Sequence, residues 1–288
     1  MNFRKIRRVL LIILFLNWLV AFSKIILGLL TGTLCVLSDG IHSLFDGATN
    51  IVGIFGIKIA EKPADEDHPY GHRKYEAIAS QVILVFLVIA AYEIIRNIIG
   101  KLSAPETIFS GANWFPLSMG ILVSCLIIDI VVARYEFKKG IELKSIILKA
   151  DALHTKSHYI TTSAVILGAI LVEVGLPPII DPIIASVVVV FIMKLAFEIF
   201  KETSSVLSDK TNVNKDQIKK IAESVGKVIA CHQIRSRGNE DHIFLDIHII
   251  VAPNLSLKTA HEICHEVSGK IQKQIPEIKD ITVHPEPY

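Results

Sequence analysis

Residues 145–171, Ser-Ile-Ile-Leu-Lys-Ala-Asp-Ala-Leu-His-Thr-Lys-Ser-His-Tyr-Ile-Thr-Thr-Ser-Ala-Val-Ile-Leu-Gly-Ala-Ile-Leu, decide the fold. The run lacks the period-2 alternation of a half-buried strand and exceeds the ~20 residues that a membrane helix needs. Yet Asp151, His154 and His158 lie within it. An ionisable group at the centre of a membrane helix costs about 3 kcal/mol or more, so each marks a functional position. His154 and His158 are four residues apart and share one helical face.

Working outward, five further apolar runs fall near 9–31, 35–58, 77–99, 113–134 and 179–200. Their breaks are short, such as Thr31-Gly32-Thr33 and Gly175-Leu176-Pro177-Pro178, so the chain reads as helical hairpins rather than barrel strands. The first run is too long for a signal peptide and lacks a small-residue cleavage site. Of the chain's charged residues, 36 lie in residues 1–208 and 22 in residues 209–288. This divides the 288 residues into a six-helix transmembrane domain, 1–208, and a small cytoplasmic domain, 209–288, and excludes a wholly soluble enzyme. Thirteen Lys and Arg flank the spans on one side, including Arg4, Lys5, Arg7, Arg8, Lys138 and Lys139, against Arg96 and Lys101 on the other. Both termini are therefore expected in the cytoplasm, with the chain in the inner (cytoplasmic) membrane. A net charge of +2 gives no basis for nucleic-acid binding, and Cys35, Cys125, Cys231 and Cys264 form no CxxC pair.

In the tail, 214–225 reads as a helix, 228–236 as a strand, and 242–251 as a second strand with Ile243, Leu245, Ile247 and Ile249 on one face. Ser256 caps a helix to about Gln274, and 279–284 is the last strand. The result is an α+β unit of order αββαβ, ferredoxin-like and two-layered.

The second run contains Ser38-Asp39-Gly40-Ile41-His42-Ser43-Leu44-Phe45-Asp46, so His42 and Asp46 repeat the four-residue spacing. Two such helices facing each other offer four ligands to one divalent ion, the number and chemistry that tetrahedral zinc prefers. Asp151, one turn before His154, can orient that imidazole, and Asp39 is a like candidate in the second run. Asp129, in the fourth run, is either an ion-pair partner of Arg134 or a proton or metal relay. The bland alternative is that these groups satisfy one another as interhelical hydrogen bonds. Lys24, Glu93, Lys194 and Glu198 sit near span ends and are expected to snorkel, while Asn17 and Gln81 read as helix glue.

The loop Asp65-Glu66-Asp67-His68-Pro69-Tyr70-Gly71-His72 is either a solvated acidic loop or a metal site built from Asp65, His68 and His72. Six of the eleven histidines lie in the tail: His232, His242, His248, His261, His265 and His284. Their density, with Asp246 and Glu286 nearby, points to bound metal. His261-Glu262-Ile263-Cys264-His265 matches the HExxH pattern of zinc proteases. So small a domain has little room for a third ligand and a substrate cleft, so the match reads as fortuitous.

His42-xxx-Asp46, Asp-His-Pro-Tyr-Gly-His-Arg-Lys-Tyr-Glu at 67–76, Asp151-xx-His154 and the His-rich tail together resemble the cation diffusion facilitator family, most nearly its bacterial zinc/ferrous-iron efflux branch. The resemblance covers nearly the whole chain. It implies a homodimeric secondary transporter, not an enzyme, that exports zinc or another divalent metal in exchange for protons by alternating access. Carried over by position, the transport site is His42, Asp46, His154 and His158, and the loop site is Asp65, His68 and His72. A dimer-stabilising cluster with structural metal ions maps onto His232, His248, His261, His284 and Glu286; no other cofactor is implied. One departure is His158, where the family usually has Asp. A three-His, one-Asp site argues against manganese and magnesium and leaves zinc, cobalt, nickel or ferrous iron open. If His158 turns away, three protein ligands and an open position remain. Two other classes remain open: a passive metal channel, and a membrane-tethered zinc metalloprotease that would use His261-Glu262-x-x-His265 and be indifferent to His42.

Overall fold

The structure is a computed structural model that describes residues 2–31, 34–103, 115–177, 179–211 and 213–288, together with most of their side chains. The side chains of Asp39, His42 and Asp46 lie outside the described residues. All six expected spans are α-helices: α1 (Phe3–Thr31), α2 (Leu34–Ala60), α3 (Lys74–Ser103), α4 (Phe115–Glu142), α5 (Ile146–Glu173) and α6 (Ile180–Leu207). Helix α4 outlasts its apolar run because Arg134-Tyr135-Glu136-Phe137-Lys138-Lys139 contains good helix formers and no breaker.

Among the described residues, Phe3–Ile26, Lys74–Gly100 and Pro182–Leu207 are the segments long and apolar enough to cross a membrane by composition alone. Phe15, Phe22, Val190 and Phe197 are each half or more exposed. A soluble protein does not leave such surface in water; lipid covers it. Helices α4 and α5 carry the polar residues and pack on each other, α1 packs on α2, and α3 meets both α2 and α5. Gly56 permits the close approach of α2 to α3, since a side chain there would collide with Ala79.

The start of α5 is held from another helix. The first N–H groups of a helix have no partner within it. Ser145, just before α5, accepts from the Leu148 N–H at 3.4 Å, and its hydroxyl donates to Glu76 Oε1 at 2.6 Å. Glu76, in the first turn of α3 and fully buried, also accepts from the Ile147 N–H at 3.4 Å. A carboxylate at a helix N-terminus also complements the helix dipole. Glu76 thereby fixes where α5 begins, and with it the depth of Asp151, His154 and His158.

The chain divides into two compact units, 2–203 and 204–288. The second comprises α7 (Lys215–Glu223), β1 (Val228–Asn239), β2 (His242–Val251), α8 (Leu257–Gln274) and β3 (Ile278–Pro287), the expected αββαβ order. Strand β2 is central, antiparallel to β1 and parallel to β3. Ile243, Leu245, Ile247 and Ile249 are buried against Ile218 and Ile221 of α7 and Ile263, Val267 and Ile271 of α8. Asn214 caps α7 by accepting from the Asp216 and Gln217 N–H groups, and Ser256 caps α8 by accepting from Thr259 N–H. Alternation along β2 leaves Asp246 and His248 on the opposite face from this core.

Replacing Glu76 with Ala strips the α5 N-terminus of its acceptor. Glu76→Ala should therefore lower the thermal unfolding temperature in detergent, reflecting a loss of about 1–3 kcal/mol. Glu76→Gln, which still accepts, should lose less; equal melting of wild type and Glu76→Ala would show that the contact carries no stability.

Candidate metal sites

Among the described residues ligand side chains gather in several places, and the most deeply buried lie on α5. On α5, Asp151 is 1% exposed. Thr49 Oγ1 donates to Asp151 Oδ1 at 3.0 Å, and Asn50 Nδ2 donates to Oδ2. Asn17 Nδ2 donates in turn to Asn50 Oδ1 at 3.0 Å, so one hydrogen-bonded chain ties α1, α2 and α5. Thr155 Oγ1, 3.0 Å from Glu136 Oε2, ties α4 to α5. The sequence offers Asp151 as an orienting partner of His154; its hydrogen bonds run to Thr49 and Asn50 of α2. Asp151 thereby faces the α2 donors. Its role is to hold α2 against α5.

His154, 4% exposed, and the half-buried His158 come together as expected, with Nε2 atoms 3.1 Å apart and ring planes at 77°. Two nitrogens at about 2.0–2.1 Å from one tetrahedral ion are about 3.3–3.4 Å apart. The pair thus presents two imidazoles at nearly the spacing of shared coordination. Both line a cavity of ≈ 60 Å³, to which α1 contributes Lys24, α2 Ser43 and Thr49, and α4 Asp129. Asp129 therefore belongs to the wall of this cavity. The side chains of His42 and Asp46, expected to complete the ligand set, lie outside what the structure describes, as does that of Asp39.

Lys24 departs from the sequence expectation. Instead of reaching toward an interface it is 8% exposed, and its Nζ donates to Ser43 Oγ at 2.9 Å. The available signal was Asn17, seven residues earlier on the same face of α1.

The loop between α2 and α3 brings Asp65, His68 and His72 together, with one ligand atom from each within 4.8 Å of the others. The His68 N–H donates to Asp65 Oδ1 at 2.7 Å, and His72 Nε2 lies 3.4 Å from Asp65 Oδ2. His72 Nδ1 is 3.1 Å from the Pro63 carbonyl, which directs Nε2 inward, the arrangement typical of a metal-binding imidazole. The backbone hydrogen bond from His68, aided by its side chain and the His72 imidazole, holds the Asp65 carboxyl below its usual value.

In the tail, sheet register aligns three histidines across three strands: His232 pairs with His248, and His248 with His284. Glu286 meets them, with Oε2 3.0 Å from His232 Nε2, Oε1 2.7 Å from His248 Nδ1, and Oε1 3.9 Å from His284 Nε2. The hydrogen bond from His248, then the imidazole charges of His232, His248 and His284, hold Glu286 below the usual glutamate value. Within this chain the compact ligand group is His232, His248 and Glu286, and His261, carried by α8, is not in it. It pairs with His265, their Nε2 atoms 3.0 Å apart. Asp246 is 3.5 Å from Arg237 Nη1. Among the described residues no third His, Cys, Asp or Glu closes a compact ligand group with His261 and His265, so the HExxH segment lacks the third ligand of a catalytic zinc site.

Residues 10–208 match the cation efflux transmembrane domain, and residues 211–288 match the cytoplasmic domain of cation efflux proteins. An uncharacterized transporter of Methanocaldococcus jannaschii is 32% identical, with 93% of this chain and 94% of that protein covered. The manganese efflux system protein MneP of Bacillus subtilis is 26% identical over 98% of this chain and 96% of its own length. The magnetosome protein MamB of Paramagnetospirillum magneticum is 28% identical over 92% and 88%.

Glu286 makes the stability of the tail pH-dependent. Its folded-state pKa is depressed, so its contribution is fully present above the unfolded value of about 4.3 and is lost as pH falls through the lower folded value. Glu286→Gln should flatten the acid limb of a stability–pH profile measured by denaturant unfolding. An unchanged acid limb would show that the carboxylate is not linked to folding.

Proposed function

The chain belongs to the cation efflux family, whose members are transporters and not enzymes, and from this we propose that it exports a borderline divalent metal, zinc foremost, in exchange for protons. The chain is a multi-pass metal efflux transporter; the choice of metal and the proton coupling are the proposal. The observation that carries it is the His154/His158 pair at 3.1 Å on the wall of a polar cavity within the helical unit. With His42 and Asp46 the site has three imidazoles and one carboxylate. Imidazole suits zinc, cobalt, nickel and ferrous iron, whereas manganese and magnesium favour carboxylate and carbonyl oxygen. The manganese efflux relative makes Mn²⁺ the competing cargo.

Metal ligands must be deprotonated, so loading the site releases protons and protonation releases the metal. Histidine titrates near neutral pH, which lets a modest proton gradient drive the exchange. In the cytoplasm-facing state neutral imidazoles take the ion. In the outward state protons displace it, and the protonated site returns. Both termini are cytoplasmic in this reading, and the membrane is the inner one.

The tail forms the homodimer contact, with His232, His248, His284 and Glu286 holding a structural ion and His261 with His265 supplying a further pair. The protease reading of the HExxH segment is set aside, because the family consists of transporters and no third ligand joins the segment among the described residues.

In proteoliposomes the purified protein should accumulate Zn²⁺ only against an opposing pH gradient, and His154→Ala should abolish uptake while the dimer stays folded. Zinc flux indifferent to the gradient would identify a passive channel; flux retained by His154→Ala would remove the transport site from this cavity. Chelators should weaken dimerisation measured by analytical ultracentrifugation, and His248→Ala should remove that sensitivity. A dimer indifferent to chelators would mean that the tail histidines are only a polar surface.

A further inference from the structure

Helix α1 places Lys24 inside the membrane unit, 8% exposed, on the wall of the cavity shared by His154 and His158. Its ammonium is anchored 2.9 Å from Ser43 Oγ, next in sequence to His42. Asp129, from α4, lines the same cavity. A lysine inside a membrane helix is expensive, and so is an aspartate on the wall of the same cavity. A site meant only to attract cations has no use for a fixed positive charge. We propose that Lys24 sets the affinity threshold of the transport cavity: a tethered cation that lowers its affinity for every dication by a similar factor, so that only ions bonding imidazole strongly still occupy it. The proposal rests on the reading of this cavity as the transport site.

The argument is one of charge balance. Histidine ligands are neutral when they bind metal and contribute no charge. Lys24 and Asp129 carry opposite unit charges, so the charged side chains among the described residues lining the cavity sum to near zero. Lys24 is 8% exposed, so bulk solvent screens its charge less than it would at the surface. The Coulomb penalty from Lys24 is the same for all M²⁺ ions, since it depends on charge and distance alone. What differs between ions is the strength of the bond to nitrogen, which rises from Mn²⁺ through Fe²⁺, Co²⁺ and Ni²⁺, with Zn²⁺ also well above Mn²⁺. A uniform penalty therefore removes the weakly bonded ions first. Replacement of a ligand carboxylate by His158 acts in the same direction, because it removes a negative charge and adds a nitrogen donor.

The test is equilibrium binding of Zn²⁺ and of Mn²⁺ to the purified full-length protein in detergent, counting as cavity binding the component that His154→Ala removes. Lys24→Gln should tighten both ions by about tenfold or more and by a similar factor, which brings Mn²⁺ into the measurable range. Asp129→Asn should weaken both, the double variant Lys24→Gln/Asp129→Asn should return close to wild type, and Lys24→Arg should keep wild-type affinities. Should Lys24→Gln not fold, Lys24→Met and the charge-balanced double variant give the same reading. Unchanged affinities in Lys24→Gln, while His154→Ala still abolishes the cavity component, would overturn this proposal alone and leave Lys24 a packing residue. No component lost in His154→Ala would overturn the transport-site reading, and this proposal with it.

Discussion

Polar groups inside a bilayer must find their partners within the protein, and in this chain the partners meet on α5. Asp151 accepts from Thr49 and Asn50 of α2, Asn50 accepts from Asn17 of α1, and Thr155 reaches Glu136 of α4. The N-terminus of the same helix is closed by Glu76 of α3 through Ser145. Each bond satisfies a group that hydrocarbon would leave stranded, and together they fix four helices around α5. One turn further along, His154 and His158 come from the same rigid scaffold. A metal site on a braced helix is held more closely than one on a loop, which is what a pair of imidazoles aimed at a single ion requires.

Two ways of gathering ligands recur. On helices the four-residue spacing stacks His154 over His158 and His261 over His265, with nitrogens 3.1 and 3.0 Å apart. On the sheet, register places His232, His248 and His284 side by side around Glu286. The first device is local, so it works wherever a helix forms. The second depends on a parallel pairing of β2 with β3 across the whole of α8, so the tail must fold before its ligands exist. A metal bound there stabilises the folded tail by mass action.

This difference also explains how far the sequence could be read. Both helical pairs are visible as spacing, and strict alternation along 242–251 announces β2 with its buried Ile243, Leu245, Ile247 and Ile249. The six spans are legible because composition and length alone define them. Contacts between elements are less so. Lys24 lies on α1 where apolar residues surround it in sequence, and only the packing of α1 on α2 shows that it turns inward to Ser43. Asp151 precedes His154 by one turn, which suggests a partner, yet the donors packed against it from α2 are Thr49 and Asn50. His261 is rich in ligand character but, carried by α8, is not in the sheet cluster of its own chain. In each case spacing along one element was informative, and the facing element decided the outcome.

The central claim is that the cavity beside α5 is where the transported ion binds. Anomalous diffraction at the zinc absorption edge, from crystals of the full-length protein grown with Zn²⁺, locates that ion without reference to activity. The account predicts a peak within coordination distance of both His154 Nε2 and His158 Nε2, about 2.0–2.1 Å from each. Peaks confined to the Asp65 loop and the His248 cluster, with none between the two α5 histidines, would contradict it.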